Sequence, residues 1–118
     1  MRIERELMRG AGPLAVLKLL DRGEMYGYEL VERLAERTRG VLSMGQSTLY
    51  PLLYNLEAKG LISARWDAER AARPRKYYQL TTKGRRRLEH DTEQWQAVTR
   101  AMKALGVLAG DDGKEALA

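Results

Sequence analysis

Two clusters of side chains in this sequence could do chemistry, and in both it is the chemistry of hydrogen bonds and charge. Gln46, Ser47, Thr48, Tyr50, Tyr54 and Asn55 crowd one short segment. Their amides and hydroxyls can donate to, or accept from, base edges and phosphates. Arg70, Arg73, Arg75 and Lys76 crowd a second segment and offer positive charge to a phosphate backbone. Bond-making chemistry finds no support. The chain has no cysteine and a single histidine, His90, so disulfides, thiolate metal sites and histidine clusters are excluded. No glycine-rich phosphate loop follows a strand, and no carboxylates stand at metal-ligand spacing. The expectation is a binding protein, not an enzyme, with no metal and no cofactor.

The distribution of charge narrows the partner. The 118 residues carry 21 Lys and Arg against 16 Asp and Glu, a net charge of +5. Met1 to Ile62 holds nine basic and eight acidic residues, Ser63 to His90 nine and three, and Asp91 to Ala118 three and five. The excess is therefore local, as expected of a surface that meets a polyanion. The N-terminus lacks the apolar core of a signal peptide, and no run approaches the ~20 apolar residues of a membrane span. These features read as a cytoplasmic protein with no membrane partner.

The elements that must position the two clusters follow from periodicity. Pro13 opens PLAVLKLLDRG, in which Leu14, Leu17 and Leu20 recur at helical spacing, and Gly23 ends it. After the short connection EMYG, Tyr28 to Thr38 places Leu30, Val31, Leu34 and Thr38 on one side and charges on the other. Ser43, Gln46, Ser47 and Thr48 are cap-type residues before a third helix built on Leu49, Leu52, Leu53 and Leu56 and stopped at Gly60. Pro51 is expected near its first turn, where a missing N–H costs least. The period then changes: LISARWD and RKYYQLT read as strands, joined by the short, basic AERAARP.

At 100° per residue the third helix turns its leucines to one face. Ser47, Tyr50, Pro51, Tyr54, Asn55 and Ala58 fall on the opposite, uncharged face. Three helices and a hairpin with a basic tip form the element order of a winged helix-turn-helix. The third helix would enter the major groove of double-stranded DNA while the wing lies along phosphates. From Thr82 to Leu108 the chain reads helical again. Leu88, Trp95, Val98, Met102, Leu105 and Ala109 make a heptad seam, with Asp91 in one slot, that predicts a homodimer. The fold class is thus mainly α with a small β-hairpin (α+β). Residues 1–81 read as the DNA-binding winged helix-turn-helix, 82–109 as a dimerisation helix packed in the same domain, and 110–118 as a flexible tail.

Three blocks carry a family resemblance. GEMYGYEL at Gly23 to Leu30, STLYPLLYNLEAKGLI at Ser47 to Ile62 and RKYYQLTTKGRRRLE at Arg75 to Glu89 occur in order. Together they resemble the PadR family of transcriptional regulators, with similarity from Leu7 to Leu88. The resemblance implies a homodimeric repressor with an N-terminal winged helix-turn-helix and C-terminal helical dimerisation. The short C-terminus is similar to the smaller PadR subfamily, which has a single long final helix. Two positions depart from the family. Tyr54 stands where relatives often carry a basic residue or histidine, and Gly12 replaces the usual apolar residue, so the first helix is expected to begin at Pro13.

Some residues have two readings. Tyr50 either contacts a phosphate or wedges beside the hairpin, whereas Tyr26 and Tyr28 are expected to pack. Trp95 is either an apolar knob in the dimer seam or, in two copies, the walls of a cavity for a small aromatic or cationic effector. The functional expectation is a repressor on a pseudo-palindromic operator, released by an effector at the dimer interface. The competing class is a winged-helix protein-interaction module without sequence-specific DNA binding.

Overall fold

A computed structural model describes residues 1–68 and 73–109. Helix α1 (Arg5–Leu20) is followed by the two-residue strand β1 (Met25–Tyr26), α2 (Gly27–Arg37) and α3 (Gln46–Ala58). Strands β2 (Ile62–Asp67) and β3 (Arg75–Leu80) then lead into α4 (Thr82–Ala104). The sheet is antiparallel in the order β1-β3-β2, with Ile62 opposite Leu80 and Asp67 opposite Arg75. The α+β class and the hairpin expected from the sequence are both present, with residues 69–72 of its tip outside the described residues.

The chain divides after Leu88 into two compact units. In the first, Met1–Leu88, α1 packs on α2 and β3, α2 on α3, and α3 on β2. Leucines at helical spacing supply the glue: Leu17, Leu30, Leu34, Leu49 and Leu53 are almost wholly buried, with Ile62 from the sheet. Burial of each such side chain is worth about 1.5–3 kcal/mol. The unit is therefore held by the face of each helix that the leucine spacing marks. The second unit, Glu89–Ala118, contains the remainder of α4. It exposes Trp95, Val98 and Met102 on that helix.

The structure corrects the sequence reading in several places. EMYG is not a bare connection, because Met25 pairs with Tyr78 and Tyr26 with Tyr77. Helix α1 begins at Arg5, not at Pro13. Pro13 forgoes only the bond to the Arg9 carbonyl, and Arg9 lies at the surface. Gly12 is a point of close approach and not a break: a Cβ there would stand 3.3 Å from Leu52 Cδ1 and 3.4 Å from Met44 Cε. Both are tips of flexible side chains. Gly12→Ala is therefore expected to gain helix propensity of about 0.5–1 kcal/mol and give back less than that in repacking. Urea denaturation should show a midpoint equal to or above that of the parent.

Helix α3 starts at Gln46 with Gly45 as its N-cap, and no side chain caps it. Pro51 consequently lies in the second turn, beyond the position expected. It is tolerated because Pro51 and Ser47, whose carbonyl it leaves unbonded, are both exposed. Helix α4 ends at Ala104, short of Leu108, because Gly106 takes φ +85°. There Val107 N–H donates to the Met102 carbonyl at 2.9 Å, and Gly106 N–H donates to that of Lys103 at 3.0 Å. This paired closure satisfies the last carbonyls of the helix and leaves Leu105 beyond it. Leu88, expected in the dimer seam, is 7% exposed in the core of the first unit. That leaves it almost no surface for a partner.

Candidate nucleic-acid interface

The uncharged face of α3 is where the spacing put it. Leu49, Leu53 and Leu56 are buried, whereas Gln46, Ser47, Thr48, Tyr54 and Asn55 are exposed. Tyr54, at 75% exposure, projects furthest of the apolar-bodied residues on this helix. The helix thus offers solvent a row of hydroxyl and amide groups with no charge among them.

The wing is braced from two sides by residues that alternate along β3. On one side Tyr26 and Tyr77 meet edge to face, ring centroids 5.6 Å apart. The Arg75 guanidinium lies 4.4 Å over the Tyr26 ring, and that of Arg65 lies 5.0 Å over Tyr77. Arg65 donates to both carboxylate oxygens of Glu24, from Nε at 2.9 Å, and reaches Asp67 Oδ2 at 3.5 Å. Its hydrogen bonds to Glu24 raise it above the ordinary guanidinium range, so this brace stays charged. On the other side Lys76 Nζ donates to Glu57 Oε1 of α3 at 3.5 Å and stands 5.4 Å over the Tyr78 ring. Burial raises the Tyr78 phenol, keeping it neutral beneath that pair.

These braces sort the expected phosphate contacts. Arg73 and Arg75 are exposed, Lys76 is half-buried and engaged with α3, and Arg70 lies outside the described residues. Tyr50 spans both readings. The residue is 43% exposed, and its hydroxyl lies over Gly27, where a Cβ would come within 2.6 Å of it. Glycine at the start of α2 is what lets that ring lie there.

The pattern described as the transcriptional regulator PadR-like family matches residues 16–90. The chain belongs to the PadR-like family. Among solved structures, a PadR family regulator from Eggerthella lenta is 38% identical, with 85% of each chain covered and a TM-score of 0.75. A transcriptional regulator from Clostridium thermocellum is 27% identical over 85% of this chain and 94% of its own, TM-score 0.77. Bacillus subtilis PadR, solved in complex with operator DNA, is 30% identical over 68% of this chain, TM-score 0.62. This PadR-like chain spans 46% of that structure's length.

In this PadR-like regulator the structure revises the reading of one aromatic residue and adds another that sequence reasoning left without a role. Tyr28, expected to pack, is 52% exposed, and Trp66 is 68% exposed. With Tyr50, Pro74, Arg75 and Lys76 they line an open groove of about 430 Å³ between the start of α2, α3 and the wing. The available signal was strand phase: Trp66 shares a strand face with Ile62 and Ala64 but lies toward the tip, opposite Lys76. The seam residues Trp95, Val98 and Met102 are 40%, 48% and 38% exposed, and Leu105 is 76% exposed. Among the described residues no helix is long and apolar enough to cross a membrane, and no metal-binding cluster is found.

Proposed function

We propose that this chain is a sequence-specific DNA-binding repressor that acts as a homodimer on a pseudo-palindromic operator. The observation that carries the reading is the pairing of two surfaces. A helix face rich in neutral hydrogen-bonding groups adjoins a wing whose Arg73 and Arg75 are exposed. Gln46, Ser47, Thr48, Tyr54 and Asn55 read base edges and fix register, and the wing arginines supply attraction to phosphates. The operator complex of Bacillus subtilis PadR, a relative of the same family, supports a duplex as partner. Dimerisation uses Trp95, Val98, Met102 and Leu105, and two copies of Trp95 form walls for a small aromatic or cationic effector whose binding changes the spacing of the two recognition helices.

Selection of duplexes on the purified protein, followed by titration at two salt concentrations, tests the reading. Selective binding that persists at moderate salt supports it; its absence favours a protein-interaction module. Replacing Arg73 and Arg75 together by Ala is expected to weaken all duplexes alike. The slope of log affinity against log salt should fall by about 0.9 for each phosphate that the wing no longer neutralises. An unchanged slope would remove the wing from the backbone. For the effector, a panel of planar aromatic amines is added to the protein–DNA complex and release is followed by anisotropy. Release by none of them counts against the cavity at Trp95.

A further inference from the structure

A second concavity of the first unit is lined only by residues of α1, of α2 and of the positions that follow each. Its volume is about 400 Å³, within the ~300–1,000 Å³ of small-ligand sites. Its base is apolar, since Leu19 and Leu34 are buried there, and its rim is basic. Lys18, Arg22, Arg33 and Arg37 stand against a single carboxylate, that of Asp21. On α2, Arg33 and Arg37 are four residues apart, a spacing at which like charges work against the helix.

Two of the four cations are answered within the chain. Lys18 Nζ lies 3.6 Å from Asp21 Oδ2, and Arg33 Nη2 lies 4.0 Å from Glu29 Oε2. The side chains of Arg22 and Arg37 make no ion pair or hydrogen bond among the described residues. Helix ends attract cations, but the carbonyls at these two ends are already bonded. Leu17 and Lys18 accept from Asp21 N–H, Leu19 from Arg22 N–H and Leu20 from Gly23 N–H. On α2, Leu34 accepts from Thr38 N–H, Glu36 from Arg39 N–H and Ala35 from Gly40 N–H. Capping therefore does not employ the two guanidinium groups. Two open forks from different segments, above an apolar base, match two acidic groups carried on one small apolar body.

We propose that this cleft binds a small organic dianion, with one carboxylate or phosphate on Arg22, the other on Arg37 and the connecting carbons against Leu19 and Leu34. The site is independent of the DNA-binding reading, because neither α3 nor the wing contributes to it.

The test titrates the full-length chain by calorimetry, in a phosphate-free buffer at about 0.15 M sodium chloride, where loose surface pairing is largely screened. The probes are glutarate and phthalate as dicarboxylates, 3-phosphoglycerate as a phosphorylated carboxylate, and butyrate, benzoate and inorganic phosphate as comparisons. Saturable binding of at least one dianion with a dissociation constant below about 1 mM is expected. The dicarboxylate and phosphorylated arms then say which acidic group the cleft prefers. Arg22→Gln and Arg37→Gln should each weaken that dianion about tenfold, the usual effect of losing one hydrogen bond to a charged group. Arg9→Gln, on exposed surface outside the cleft, should leave it unchanged. Both cleft variants replace exposed side chains, and circular dichroism checks that each is folded. The proposal is overturned if no dianion binds, if inorganic phosphate or the single carboxylates bind as tightly, or if folded Arg22→Gln and Arg37→Gln bind like the parent.

Discussion

Gly84→Ala should lower the melting temperature of the first unit by more than about 12 °C. A Cβ at Gly84 would stand 2.0 Å from the Leu61 carbonyl oxygen and 3.1 Å from Leu80 Cδ2. The carbonyl cannot retreat, because it accepts the Thr81 N–H at 3.1 Å, and Ile62 next to it is paired with Leu80 across the sheet. The Thr81 hydroxyl is committed as well, donating to Gly60 O at 2.7 Å and accepting Gly84 N–H at 3.0 Å. Something in the backbone of the helix start or the strand must move. Overpacking a tight site costs ~1–3 kcal/mol when side chains can adjust and more when backbone must. We expect about 3 kcal/mol or more, after a helix-propensity gain of under about 1 kcal/mol is subtracted. At ~4–8 °C per kcal/mol for a domain of this size, that gives the stated drop. Circular dichroism melts of Gly84→Ala beside Gly12→Ala make the comparison. The same exchange on a helix should be harmless where flexible tips are met and severe where a carbonyl is met. A Gly84→Ala melt within 3 °C of the parent, against the roughly 12 °C expected, would refute the clash.

That contrast shows what the sequence discloses and what it hides. Leucine spacing disclosed the buried face of α3, and with it the exposed face, since Leu49, Leu53 and Leu56 can be buried together only if Tyr54 and Asn55 turn outward. The strands were legible because β2 and β3 are long enough to show composition and period. Strand β1 was not, since two residues have no period and its pairing partners lie more than fifty residues on. Helix boundaries were read from Gly12, Pro13 and the cap-type residues near Gln46, all local signals, and tertiary contacts overruled them. Gly12 lets α1 approach Leu52, and Gly45 begins α3 without a side-chain cap.

Charge pairing was the least legible feature of the candidate site. Arg75 and Lys76 are adjacent and look equivalent in sequence. The strand sends them to opposite faces, one to stack on Tyr26 and the other to meet Glu57 on α3. Glu57 lies nineteen residues away, so no short-range pattern reveals the pair. The same holds for Arg65 and Glu24, separated by 41 residues. The consequence is functional as well as structural. Among the described residues of the wing, Lys76 is paired and Arg75 is stacked, so the open charge there is smaller than composition alone suggests.

The second large effect is expected at Val98. The side chain is 48% exposed on α4, in one register with Trp95 and Met102, which are 40% and 38% exposed. In the single chain Val98→Glu should change stability by less than about 0.5 kcal/mol, because an exposed valine on a helix gives way to a better helix former. In a two-fold dimer the substitution acts twice. Each copy forgoes ~1.5–3 kcal/mol of valine burial, and two carboxylates are brought into one apolar seam. A loss of at least about 4 kcal/mol weakens dimerisation by roughly a thousandfold. Sedimentation at micromolar concentration should find monomers with unchanged helical content. Binding to a palindromic duplex should weaken in step, because in the proposed dimer this helix is what joins the two half-sites, and raising the protein concentration should partly restore it. If Val98→Glu remains dimeric, the seam lies on another face of α4. If it becomes monomeric yet binds the palindrome as tightly as the parent, each winged helix reads DNA alone and the coupling of the two half-sites has no basis.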